Sequence, residues 1–133
     1  VAATSSTAQA GAFMVARIAG NFNSLVSGTG YQLAVTTGVS GTAPDPPVVT
    51  PAWGSSDALF VAIATVRGDN ATFTGYPTDY LNGDYHVTTN GGGGGASVGM
   101  AFRQLVAASD NPSAFGLSLA QSGAVYTIAI RPA

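Results

Sequence analysis

The chain contains no lysine, no glutamate and no cysteine, and this triple absence constrains its fold more than any motif does. Lysine and glutamate solvate helix exteriors and carry much of the charge on protein surfaces. A chain without either is poorly suited to exposed amphipathic helices, or to a monomer kept in solution by its own charge. Its whole charge complement is Arg17, Arg67, Arg103 and Arg131 against Asp45, Asp57, Asp69, Asp79, Asp84 and Asp110, with the single histidine His86. The remainder is rich in alanine and glycine and alternates apolar residues at a period of two. The reading is a β-rich chain whose outer surface is covered, with copies of itself as the cover.

Length and charge narrow the classes further. A chain of 133 residues is expected to form one β-sandwich domain over positions 1–133. It starts at Val1 without an initiator methionine, which also fits a processed product or the C-terminal part of a longer precursor. Without cysteine there is no disulfide framework, no thiolate nucleophile and no thiolate-ligated metal. A formal net charge of −2 with four arginines makes no basic stripe, so no nucleic-acid partner is expected. No apolar run reaches the roughly 18–20 residues that cross a bilayer, and membrane insertion is not expected.

Apolar alternation marks the strands. Gly11–Ala19 alternates Ala12, Met14, Ala16 and Ile18 against Phe13, Val15 and Arg17, and Asn21–Gly30 is a polar connection. Tyr31–Thr37 reads as a weaker strand. Gly38–Pro51 carries four prolines, which remove backbone donors and exclude a central strand, so it reads as a stiff crossover. Ser56–Val66 is apolar on both faces and reads as the principal core strand. A short strand is expected at Ala71–Thr74, a tight hairpin turn at Asn82-Gly83 and a flexible loop at Asn90–Gly95. Ala96–Ala107, Phe115–Ala120 and Gly123–Arg131 complete about seven strands. The expected fold is therefore all-β, an antiparallel, jelly-roll-like β-sandwich.

Little in the chain points to chemistry. His86 lies beside a turn and reads as a surface or interface histidine, with no nucleophile elbow expected around a serine. The aspartates fall in or beside turns, where they cap backbone donors. Asp79 and Asp84 with loop carbonyls are the nearest approach to a calcium site, and turn capping is the preferred reading. No catalytic residue, cofactor or metal is expected. Trp53, Tyr76, Tyr80 and Tyr85 are candidate ligand-facing residues for stacking on a sugar, although tyrosine is also an ordinary packing residue of sandwiches and interfaces. Asn70-Ala71-Thr72 is a formal glycosylation acceptor. Arg17, Arg103 and Arg131 sit on strand faces of small apolar residues and are candidate contacts between subunits.

Three stretches carry a resemblance. They are GTAPDPPVVTPAWGSSDALFVAIA (Gly41–Ala64), the Tyr-Pro-x-x-Tyr element at Tyr76–Tyr80 and the ending YTIAIRPA (Tyr126–Ala133), with TSSTAQAGAFMVARIAG (Thr4–Gly20) upstream. Together they resemble structural proteins of tailed bacteriophages and prophages. The resemblance implies a homo-oligomeric component displayed on a virion, as a capsid decoration or a fibre subunit beside other capsid or tail proteins. A receptor- or glycan-binding tip meeting host-surface glycan is a second expectation. A bacterial surface filament polymerising through a Val1–Gln9 donor arm is a third.

Overall fold

The computed structural model describes residues 11–19, 27–89 and 94–133. Seven strands follow in chain order: β1 (Tyr31–Gly41), β2 (Ser56–Arg67), β3 (Phe73–Gly75), β4 (Leu81–Val87), β5 (Ala96–Ala107), β6 (Gly116–Leu117) and β7 (Gln121–Ile130). They form an antiparallel five-stranded sheet in the order β1-β7-β2-β5-β4 and a two-stranded ribbon of β3 and β6. Among the described residues there is no helix, and the all-β antiparallel sandwich expected from the alternation is what forms, with layers of unequal size.

The register explains how so small a second layer closes the core. β2 lies at the centre, and its even-numbered residues share a face with Gly99 and Ala101 of β5 and with Val125, Thr127 and Ala129 of β7. This inner face is mostly small side chains around one ring: Ala58, Ala62, Ala64, Ala101 and Ala129 are each at most 1% exposed, and Phe60 stands among them fully buried. Most of the bulk is supplied from the other layer. Phe73, Phe115, Leu117, Val49 and Tyr80 pack down onto this face as one cluster. Phe73 lies so close over Gly99 that a Cβ there would meet its ring at 2.6 Å. Phe73 and Phe115 meet edge-on at 5.5 Å, so the aromatic layer also packs on itself.

The proline-rich crossover belongs to this second layer. Pro44, Pro46 and Pro51 are buried. Backbone bonds tie the crossover to the β6 region, from Phe115 N–H to Pro44 O and from Leu117 N–H to Thr42 O. Thr127 of β7, fully buried, donates its hydroxyl to Pro47 O at 2.6 Å. Prolines suit this layer because each lacks one donor that a buried, non-sheet backbone would have to satisfy.

Three expectations are corrected. Residues 11–19 alternate as a strand would, but they join no ladder. They lie across the opposite face of the sheet, where Ala12 borders a cavity lined by Thr65, Val98 and Ala124, and residues 16–19 border another with Leu59 and Phe102. The Asn82-Gly83 pair is no hairpin turn. Asn82 does take positive φ, at 53°, but within β4, where the register steps from Leu81↔Phe102 to Asp84↔Met100. Two residues there oppose one, which is a β-bulge. β1 runs on to Gly41 past the expected end at Thr37, because Gly38, at φ 73°, makes a bulge and pairing resumes at Val39. The Val1–Gln9 arm, positions 90–93 of the glycine tract and positions 21–26 of the polar connection lie outside the described residues.

Close strand contact at Gly123 yields a test. A Cβ there would collide with the backbone carbonyl of Thr65, which cannot swing aside as a side chain can. Gly123→Ala is expected to cost ~1–3 kcal/mol of unfolding free energy. Gly75→Ala, whose Cβ would meet nothing nearer than 3.8 Å, is expected to stay within about 0.5 kcal/mol. Denaturant titration of the two variants provides the comparison.

Candidate functional site

Two features stand out, one inside the molecule and one on its surface. The inner one is a charge cluster. Asp110 is 6% exposed, and its backbone exchanges two hydrogen bonds of 3.0 Å with Val49, fixing the carboxylate under the crossover. Arg103, on the inner face of β5, donates to Asp110 Oδ1 at 3.0 Å and lies 3.6 Å from Asp79 Oδ2. The Tyr80 hydroxyl donates to Asp110 Oδ2 at 2.5 Å. Both carboxylate oxygens are thus occupied, one by a guanidinium and one by a phenol, which is how a buried charge becomes tolerable. Tyr80 is held protonated well above the usual phenol range, first by burial, then by its bond to Asp110 and by that carboxylate's charge; Arg103 opposes the shift. The cluster ties β5, the crossover and the segment entering β4 together, and serves as a lock.

This arrangement revises three expectations. Arg103, a candidate contact between subunits, has its guanidinium committed within the chain. Tyr80, a candidate ligand-facing residue, is 7% exposed and points into the lock. Asp110 is no turn cap but the buried acceptor at the lock's centre. The sequence signal for it was Arg103 itself, a charge on a face of small apolar residues that needs a partner inside.

The other candidates scatter. Tyr76 packs edge-on against Phe115 at 6.1 Å, and Tyr85 tilts over Phe73 at 5.9 Å. Trp53 packs against the core with its indole N–H buried and without a hydrogen-bond partner. Tyr76 and Tyr85 thus continue the row of Phe73 and Phe115 out to the surface, where Tyr85 is 36% exposed, whereas Tyr80 is buried and Trp53 packs against the core. Arg17 is exposed on the segment overlying the sheet, and Arg131 is half-buried just past β7, where its N–H donates to Gly30 O. Asp84 accepts from the N–H of Tyr85 at 2.8 Å, a local cap as expected. His86 is exposed on β4 opposite Val98. Among the described residues no group of three His, Cys, Asp or Glu side chains is placed to hold a metal.

One motif was missed in the sequence. Residues 95–99 read Gly-Ala-Ser-Val-Gly, the spacing of a nucleophile elbow. An elbow needs a strand-to-helix turn that exposes its serine. Here Ser97 lies inside the long strand β5, 2% exposed, and donates its hydroxyl to Ala71 O at 2.6 Å. Its neighbour across the sheet is Val87, and His86 points to the opposite face. The serine is a core residue that satisfies a loop carbonyl.

The surface feature is the outer face of the sheet. The residues that β2, β5 and β7 direct there are large: Leu59, Val61 and Ile63, then Val98, Met100 and Phe102, then Tyr126, Ile128 and Ile130. β1 adds Leu33 and Val35, which are 45% and 50% exposed, and the rim adds Leu81 at 70% and Val106 at 68%. Charge on this face is confined to its margins, with Asp57 and Arg67 at the ends of β2 and Asp84 on the edge strand. The overlying segment brings Phe13 and Val15, themselves 63% and 72% exposed. Five strands at ~4.8 Å spacing and ~3.3 Å rise per residue give a face of about 20 by 35–40 Å, or about 700–800 Å². Within that footprint Val61 and Val98 are buried, at 3% and 7%, and the other seven central residues are half-buried, so the exposed apolar area is smaller than the footprint. The face thus has a large apolar centre and a charged margin.

No family model matches the chain, and no curated protein or solved structure matches it.

The lock makes two testable statements. Asp110→Ala leaves Arg103 and the Tyr80 hydroxyl without their acceptor, and is expected to destabilise by about 2–4 kcal/mol. That is below the full cost of breaking a buried pair, because the Arg103 side chain is a quarter exposed. Because the folded state holds the Tyr80 proton more tightly than the unfolded chain does, this contribution is complete below pH ~10 and declines as pH rises beyond it. In Tyr80→Phe that alkaline decline is expected to be shallower, as read from unfolding curves in the alkaline range.

Proposed function

We propose that this protein is a non-catalytic structural subunit that assembles with copies of itself, and that the assembly is the surface of a phage-type virion. The observation that carries the self-assembly reading is the division of side chains across the sheet. Small residues, Phe60 apart, face the layer that the chain itself supplies. Large apolar ones face the side over which, among the described residues, only 11–19 lie. A monomer would gain by the reverse arrangement, since exposed contiguous apolar surface beyond a few hundred Å² is rare in proteins that remain single. The shortage of surface charge supports the same reading, because nothing on the outer face opposes close approach of a like face.

The virion setting rests on the resemblance of Gly41–Pro132 to phage structural proteins. Its mechanism there is adhesion by buried area. A subunit that binds an assembled lattice and not its free parts shifts the equilibrium toward the assembled state. The charged groups that the fold gathers, Arg103, Asp110 and Asp79, hold the crossover to the sheet and so keep the outer face flat and presented.

The full chain is expected to sediment as a multimer at micromolar concentration. Val106→Asp, which sets a charge on the outer face with little effect on the inner core, is expected to shift it toward smaller species. A wild-type chain that sediments as a monomer throughout the micromolar range contradicts the reading.

A further inference from the structure

The two edges of the five-stranded sheet are built differently. β4 is a defended edge. It is seven residues long, carries Asp84 and His86, and is broken by the bulge at Asn82 and Gly83. Those are the devices by which sheets discourage pairing with another strand: short length, charge and local twist. β1 has none of them over most of its length. Its sequence, YQLAVTTGVSG, holds no charged residue and no proline across 11 residues, and its one bulge falls at Gly38. β7 occupies one side of β1; on the other, among the described residues, Gly28 N–H donates to Tyr31 O at 2.7 Å, and no strand pairs with the residues beyond.

We infer that β1 is a seam at which a second copy of this chain adds its own β1, antiparallel, across a two-fold axis through Ala34. The inference rests on the self-assembly reading above and names the surface that performs it. The register follows from the strand. The stretch before the bulge, Tyr31–Thr37, has Ala34 as its midpoint. A two-fold axis there pairs Leu33 with Val35 of the partner subunit and sets the two Ala34 residues opposite each other, while Tyr31, whose carbonyl already accepts from Gly28 N–H, marks the end of the ladder. Directly opposed residues in an antiparallel pair project to the same face. The exposed Leu33 and Val35 therefore gain apolar neighbours on the outer face, as cross-strand pairs do. The axis stands normal to the sheet, so both outer faces end on the same side and the two five-stranded sheets become one of ten strands. The partner is a second copy because the stretch is complementary to itself about its midpoint and carries no charge that would select a different sequence. The apolar outer face also continues across the seam, adding its area to that of the strand pairing. The two-fold contact closes, so it forms a dimer unit and not an endless fibre.

The chain has no cysteine, so single cysteines report cleanly. Opposed residues in an antiparallel pair have Cα atoms about 4.5–5.5 Å apart, within the range a disulfide spans. In the full-length chain, Ala34→Cys is expected to cross-link most of the protein to dimer on mild oxidation, whereas Ser40→Cys, beyond the bulge, is expected to remain uncross-linked. Val35→Lys, at a half-exposed site, is expected to halve the sedimenting mass while far-UV circular dichroism stays unchanged. His86→Lys on the defended edge is expected to leave the mass as it is. A multimer that persists in Val35→Lys and fails to cross-link through Ala34→Cys overturns the seam and leaves self-assembly standing. A wild-type monomer whose β1 amides exchange rapidly overturns both, and leaves the edge to a strand from another protein.

Discussion

The structure depends on how closely a loop layer can approach a sheet. Alanines and glycines at the centre of β2, β5 and β7 leave the inner face nearly flat, and the aromatic residues of the opposite layer fill the space above it. A sandwich whose two sheets both carried large residues inward would need a second sheet of comparable width to cover them. Here a two-stranded ribbon and a proline-rich crossover suffice, because, Phe60 apart, the rings between the layers come from the loop side. The Arg103–Asp110–Tyr80 lock then holds that crossover where strand pairing is sparse, beside the isolated bridge between Val49 and Asp110. Removing Phe73 or Phe115 would accordingly cost more than removing any single alanine beneath them, since each aromatic fills a space no neighbour can reach.

With the small residues of β2, β5 and β7 directed inward, the large ones on those strands are directed outward by the period of two. The period of two separates the two sets, but it does not require the outer set to be apolar; that choice is made by the sequence at Leu59, Ile63, Met100, Phe102, Tyr126, Ile128 and Ile130. The segment at 11–19 lies over part of the outer face and itself exposes Phe13 and Val15, which adds to the apolar surface offered to a neighbour.

Much of this was legible in the sequence, and the limits have physical causes. β2 and β5 were evident to within a residue, because a dozen positions that are mostly apolar on both faces, with no helical spacing, fit a buried strand. Alternation was also present in residues 11–19, and there it misled: a segment lying across a sheet face shows the same period as a strand within the sheet. At Asn82 the chain signalled positive φ correctly, but positive φ serves turns and bulges alike, and only the partner strand distinguishes them. Of the lock, Arg103 on an apolar face signalled the need for a partner, but not which partner. Arg103 and Asp110 are separated by a turn and meet only because the crossover's Val49 bridges back to Asp110, a contact between residues 61 positions apart in the chain. Tyr80 looked like a candidate for an exposed platform because nothing local marks a tyrosine as buried.

Covering of the outer face is the central claim, and a single-cysteine labelling rate measures it directly. Val106→Cys lies on that face at a site 68% exposed in the single chain, and Ser118→Cys lies at an exposed site next to the ribbon strand β6. In the concentrated native protein, thiol labelling at position 106 should be slow relative to position 118, and should accelerate on dilution as the assembly dissociates. Equal and rapid labelling of both sites at every concentration would mean that the face stays open to water, and would contradict the account.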